Sequence, residues 1–99
     1  MTTEEILAEA ARLVEEKWSQ RYPTTRQEGF CAFGAIRYAS GSRNSLDGDF
    51  NSYFPALAAV CKEIGLEKPA AGCLGDWNDA PGRTKEEVAT ALRNAKRWL

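Results

Sequence analysis

A chain of 99 residues is one domain, long enough to bury roughly two thirds of its unfolded surface. Hydrophobic content of 43% with 27% charged residues matches globular proteins and excludes disorder throughout. The net charge of −1 supplies no overall field for nucleic acid or membrane, and the absence of histidine excludes Ser-His-Asp and Cys-His catalysis and imidazole zinc sites.

The first predicted element is a helix over residues 3–22. Thr2 and Glu5 fit a capping box, in which side chain and backbone of each residue satisfy the other. Ile6, Leu7, Ala10, Leu13, Val14 and Trp18 recur at three- and four-residue steps and mark one apolar face. Pro23 is the expected stop, since the residue before proline is pushed out of the helical region.

A polar connection over 23–29 leads to a second helix over 30–39, with Cys31, Gly34, Ala35 and Tyr38 as its buried line. Glycine inside a helix costs about 1 kcal/mol against alanine, so Gly34 implies a close neighbour. Trp77 is the expected one. The stretch 40–49 is turn-like and reads as a surface loop. A third helix is expected over 52–64, with Pro55 in its first turn, core residues Leu57, Val60, Cys61 and Ile64, and Gly65 as a left-handed stop.

Residues 66–73 read as loop, and 74–79 as a single helical turn carrying Trp77. Pro81-Gly82 breaks that turn. Thr84 and Glu87 form a second capping box for the last helix, whose apolar face is Val88, Ala91, Leu92, Ala95 and Leu99. No segment alternates as a strand would. The expected fold is therefore all-α, a single domain over 1–99 built as a small bundle of about four helices plus a short helical turn.

Charge is uneven along this plan. Residues 1–20 carry five acidic and two basic groups, and residues 83–99 five basic and two acidic. The two end helices are thus expected to lie side by side. Cys31, Cys61 and Cys73 are odd in number and lie among small apolar residues, so all three read as buried thiols rather than a disulfide framework. The opening Met1-Thr-Thr-Glu-Glu-Ile6 lacks the basic and apolar regions of a secretory signal. No apolar run approaches the ~20 residues that span a bilayer, so the cytoplasm is the expected location and a membrane is not an expected partner.

Two segments carry a resemblance. Cys31-Ala-Phe-Gly-Ala-Ile36, followed by Trp77-Asn-Asp-Ala-Pro-Gly-Arg-Thr-Lys-Glu-Glu-Val88, resembles an uncharacterised family of small domains encoded by actinobacteria and their phages. The resemblance covers roughly residues 28–97. It brings no catalytic residue with it. It implies a bacterial host cytosol and a phage accessory protein acting on a host component.

Candidate chemistry is sparse. Asp47-Gly-Asp-Phe-Asn-Ser52 begins like a calcium loop, but the sixth and twelfth positions are Ser52 and Ala58 instead of Gly and Glu, so the motif fails. Asp49, Asn51 or Ser52 reads instead as a helix cap. Asp76, Asn78 and Asp79 could offer oxygen ligands or paired carboxylates. Against this, short polar side chains bond local backbone, which places Asn78 and Asp79 around the Pro81-Gly82 turn or an aspartate against Arg83. Trp77, Asn78, Asp79, Arg83, Thr84 and Glu87 are accordingly read as a structural motif, with no metal or cofactor expected.

Two surfaces remain. Trp98, together with Phe50, Tyr53 and Phe54, is the candidate protein-interaction set, because tryptophan and tyrosine are enriched at interface hot spots. Phe50, Tyr53 and Phe54 could equally cover one end of the core. Arg93, Lys96 and Arg97 are the candidate nucleic-acid contacts, weighed against their fit to the negative end of a helix. The leading expectation is a non-enzymatic protein-interaction domain. A nucleic-acid-associated protein using the last helix is the alternative, and a metal-assisted enzyme using Asp76 and Asp79 ranks third.

Overall fold

In a computed structural model of the protein, residues 2–21, 27–41 and 50–99 are described, the side chains of Phe50 and Asn51 excepted. The five α-helices among them are α1 Thr3–Lys17, α2 Ala32–Ala39, α3 Phe50–Glu63, α4 Ala71–Asn78 and α5 Lys85–Asn94, which runs on into a 3₁₀ turn, Ala95–Trp98. There is no strand among the described residues. The fold is all-α, a small single domain.

Helix α1 is the centre of the packing, with α2, α3 and α5 laid against it. Its capping box is complete: the Thr2 amide donates to Glu5 Oε1 at 2.8 Å and the Glu5 amide to Thr2 Oγ1 at 3.1 Å. Ile6, Leu7, Ala10, Leu13 and Val14 are buried as their spacing predicts, each large one adding roughly 1.5–3 kcal/mol of transfer free energy. Alanines 10 and 11, both fully enclosed, let neighbouring helices approach closely. The oppositely charged end helices do lie together, and Arg93 of α5 donates to the Glu15 carboxylate of α1. That pair is half-exposed, so it guides orientation more than it stabilises.

Several boundaries depart from expectation. Helix α1 stops at Lys17, five residues early, because Trp18 turns extended (φ −76°, ψ 145°). The chain there pairs with the approach to α2: the Ser19 amide donates to the Phe30 carbonyl at 3.0 Å and the Phe30 amide to the Lys17 carbonyl at 2.8 Å. Pro23 lies outside the described residues and is not the stop. Helix α2 starts at Ala32, with Cys31 as its N-cap, whose Sγ accepts from the Gly34 amide at 3.2 Å. Its buried face is therefore Ala32, Ala35 and Ile36, while Gly34 and Tyr38 are half-buried. The neighbour nearest to Gly34 is Cys31 Sγ, not Trp77.

Helix α3 begins at Phe50, so Pro55 sits inside it instead of in its first turn, with its ring exposed. Leu57, Val60 and Cys61 are core, Ile64 is half-buried, and Gly65 takes the left-handed conformation (φ +83°) as Leu66 donates back to the Cys61 carbonyl at 2.8 Å. The loop assigned to 66–73 is shorter than expected, because α4 occupies two turns from Ala71 instead of one from Leu74. The buried-thiol reading holds for Cys31 and Cys61 but not for Cys73, which is exposed on the first turn of α4. Leu99 is also exposed, because the 3₁₀ turn tightens the chain and rotates it off the apolar stripe of α5. Asp47 and Asp49, with the loop from residue 42 onward, lie outside the described residues.

Candidate functional site

The segment around Trp77 is densely bonded. Asn78 ends α4 and is completely buried, the one polar side chain so placed among the described residues. Its Oδ1 accepts from the indole Nε1 of Trp18 at 2.9 Å and from the Ala32 amide at 3.0 Å. Its Nδ2 donates to the Ser19 carbonyl at 3.1 Å and to Asp79 Oδ1 at 3.0 Å. All the capacity of a primary amide is thus used, on partners from the end of α1, the start of α2 and the residue beside it. The Asn78 carbonyl takes a further bond from Gln20 Nε2 at 3.2 Å.

Asp79 continues the clasp. Its Oδ1 also accepts from the amide of Arg21 at 2.8 Å, where the backbone is held left-handed (φ 70°). A non-glycine residue in that region carries roughly 1 kcal/mol or more of strain, and the carboxylate anchors it. The local turn assigned to Asn78 and Asp79 is therefore incorrect for both: apart from the bond between them, the partners of their side chains lie 46 to 60 residues away along the chain. Sequence spacing could not reveal this, because nothing between Trp18 and Ala32 announces that two of its backbone groups and an indole need a shared partner.

Arg83 finishes the segment. Its guanidinium stacks 4.1 Å from the centroid of the Trp77 ring, Nε donates to the Trp77 carbonyl at 2.9 Å, and Nη1 pairs with Glu87 at 3.0 Å. Arg83 therefore pairs with a glutamate and not with Asp76 or Asp79. Glu87 also completes the capping box of α5 with Thr84, at 3.1 and 3.2 Å. Bonding to the Thr84 amide and to Arg83 holds its carboxyl below the ordinary range. Trp77, Asn78, Asp79, Arg83, Thr84 and Glu87 each have a defined place in this network. Asp76 is exposed on α4 and makes no side-chain bond among the described residues. No group of three or more metal-ligating side chains occurs among the described residues.

Two of the three thiols, Cys31 and Cys61, are buried. Burial pushes the Cys31 thiol up, against the pull of the Gly34 amide, and burial likewise pushes Cys61 up. A thiol so shifted is a poor nucleophile near neutrality.

The outer surface offers a different arrangement. Among the described residues, Trp98 (48% exposed) and Leu99 (58%) are the large hydrophobic side chains left in solvent. Trp98 is not loose: its Nε1 donates to Glu63 Oε1 at 2.9 Å. Arg97 reaches the same carboxylate, Nε at 2.9 Å and Nη2 at 3.1 Å. Glu63, at the end of α3, thereby orients both residues of the 3₁₀ turn. Beside Glu63 opens a groove of about 410 Å³, between the end of α3, Trp77 of α4 and the outer face of α5.

Tyr53 and Phe54 stand at the other end of α3, about 15 Å from Glu63 along the helix axis. Both are half-buried against the core, Tyr53 with its ring edge-on to Phe33 at 5.6 Å. They cover one end of the core and are not continuous with Trp98. The Phe50 side chain lies outside the described residues. Of the basic set, Arg93 and Arg97 are paired with Glu15 and Glu63, and the Lys96 ammonium has no ion-pair partner among the described residues.

The architecture is that of a small helical domain with a closed polar clasp and an open aromatic corner. The chain belongs to a family of unknown function (DUF6197), which it matches over residues 1–97. The match takes in α1, which the motif resemblance did not. No curated protein and no solved structure shows significant similarity to it.

Proposed function

We propose that this domain is a non-enzymatic protein-interaction module of the bacterial cytosol, which engages its partner through the Trp98–Leu99 corner. The observation that supports this reading is the presentation of Trp98. A half-exposed indole would ordinarily pay rotamer entropy on binding, but Glu63 already holds this ring in one orientation. Tryptophan is enriched among interface hot spots. The bonding of the polar residues that drew attention as chemistry also supports it: Asn78 engages the Trp18 indole and the Ala32 amide, and Asp79 Oδ1 accepts from the Arg21 amide.

The motif resemblance to small domains of actinobacteria and their phages adds a context: an accessory protein that acts on a host component. Expression of the tagged chain in an actinobacterial host, followed by capture with and without nuclease, tests it. A stoichiometric protein that survives nuclease and is lost with Trp98→Ala, while Tyr53→Ala retains it, is the expected result. A nuclease-sensitive mixture that tracks Lys96 would transfer the role to nucleic acid. Turnover of a substrate dependent on Asp76 would overturn the non-enzymatic reading.

A further inference from the structure

The groove beside Glu63 has a definite chemical character. It is lined by Glu63 of α3 and the adjoining Ile64, Trp77 of α4, and Glu86, Glu87, Thr90, Ala91 and Asn94 of α5. Residues 86, 90 and 94 are one helical turn apart on the exposed side of α5, and the buried Ala91 lies at the foot of the groove. That exposed side runs about 12 Å at 1.5 Å per residue, the length of roughly two turns of a partner helix.

Its floor is apolar, from Ile64, Trp77 and Ala91, and the lining contains three carboxylates and no cation. Glu63 is neutralised by Arg97 and Glu87 by Arg83. Glu86 is exposed and has no ion-pair partner among the described residues. One negative charge without an ion-pair partner among the described residues therefore stands beside an apolar floor, with the oriented Trp98 ring at the corner where Glu63 joins the two. Helix-in-groove recognition uses this combination: apolar anchors at three- and four-residue steps, and a charge that sets register.

We propose that the groove between α3, Trp77 and the outer face of α5 receives an amphipathic helix of a partner protein, with apolar side chains over Trp77 and Ala91 and a lysine or arginine against Glu86. This rests on the reading of the domain as a protein-interaction module and names the chemistry of what it would bind.

The test uses the full chain labelled with nitrogen-15 and a synthetic amphipathic helical peptide with leucine anchors and lysine charges. A second peptide replaces each lysine with glutamate. The lysine peptide should produce saturable shifts at the Trp77 and Trp98 indoles and at the amides of Ile64, Glu86, Thr90 and Asn94. Glu86→Lys, at an exposed position without a bond to lose, should weaken it about five- to tenfold, the size of a reversed rim charge. Thr90→Arg, which places a cation in the groove itself, should do the same, with circular dichroism unchanged for both. Equal binding of the two peptides, shifts that bypass these residues, or no saturation up to ~1 mM would overturn the proposal. A host protein lost with Trp98→Ala but indifferent to Glu86→Lys would also overturn it, while leaving the interaction-module reading in place.

Discussion

Replacing Asn78 by alanine should be the most damaging single polar substitution in this protein. The side chain is 0% exposed and its Oδ1 serves two donors, the Ala32 amide at 3.0 Å and the Trp18 indole at 2.9 Å. Alanine leaves both without an acceptor and the Ser19 carbonyl without a donor. A buried unsatisfied group costs about 1–3 kcal/mol. The full cost applies at Ala32, which is buried, whereas Trp18 and Ser19 are half-buried and water can reach them. The sum is roughly 3–5 kcal/mol, against a whole-domain stability of about 5–15 kcal/mol. Urea unfolding followed by far-UV circular dichroism measures it, with Asn94→Ala as an exposed control expected within about 0.5 kcal/mol of wild type. Asn78→Asp keeps the acceptor but sets a carboxylate beside Ser19 O and Asp79. Burial and the neighbouring charge would raise its folded pKa, so its deficit should shrink as pH falls, when the protonated group can donate, and grow as pH rises. A loss below about 1 kcal/mol in Asn78→Ala would refute the clasp as the joint between α4, the end of α1 and the start of α2.

Gly29→Ala should destabilise by about 2 kcal/mol or more, because φ is +110° and a Cβ would lie 2.8 Å from the Lys17 carbonyl and 2.9 Å from Ser19 Cβ; wild-type stability would show that the α1–α2 bridge yields freely. A thiol reagent should modify one cysteine of the native chain, Cys73, and reach Cys31 and Cys61 only on unfolding; mass spectrometry of the digested adduct decides it. Stability should fall as pH drops below about 4.5. Glu5 is held low by the Thr2 amide, Glu9 by Arg12, Glu15 by Arg93 and Glu87 by the Thr84 amide. A depressed folded pKa gives stability that is complete above the unfolded value and lost as protons bind the native carboxylates. With no histidine to titrate, the profile should be flat between about pH 6 and 8. It should decline again above about pH 9, as Cys31 and Cys61 ionise more readily in the unfolded chain. A step near pH 6.5 in the unfolding midpoint would contradict this.

What the sequence by itself determined is local. Both capping boxes, the apolar faces of α1 and α5, the left-handed stop at Gly65 and the all-α class follow from spacings of three and four residues, and such spacings act within a single helix. Trp98 is a candidate anchor by its residue type, and its exposure is a finding of the tertiary structure. The tertiary structure decided everything that depends on two distant segments meeting. Helix α1 ends at Lys17 because Trp18 turns away to reach Asn78, and no residue between Lys17 and Pro23 forbids another turn of helix. Cys73 is exposed and Cys61 buried although both have small neighbours, because burial depends on which side of each helix faces the core, and α4 turns its packed side to α2. Tyr53 and Trp98 looked like parts of one aromatic set, and the length of α3 sets them at opposite ends. The groove has no sequence signature: Glu63, Trp77 and Glu86 come from three helices, and only packing brings them to one wall. Local propensity is encoded in short spacings, whereas a polar clasp or a groove is a property of which surfaces are left after the core has closed.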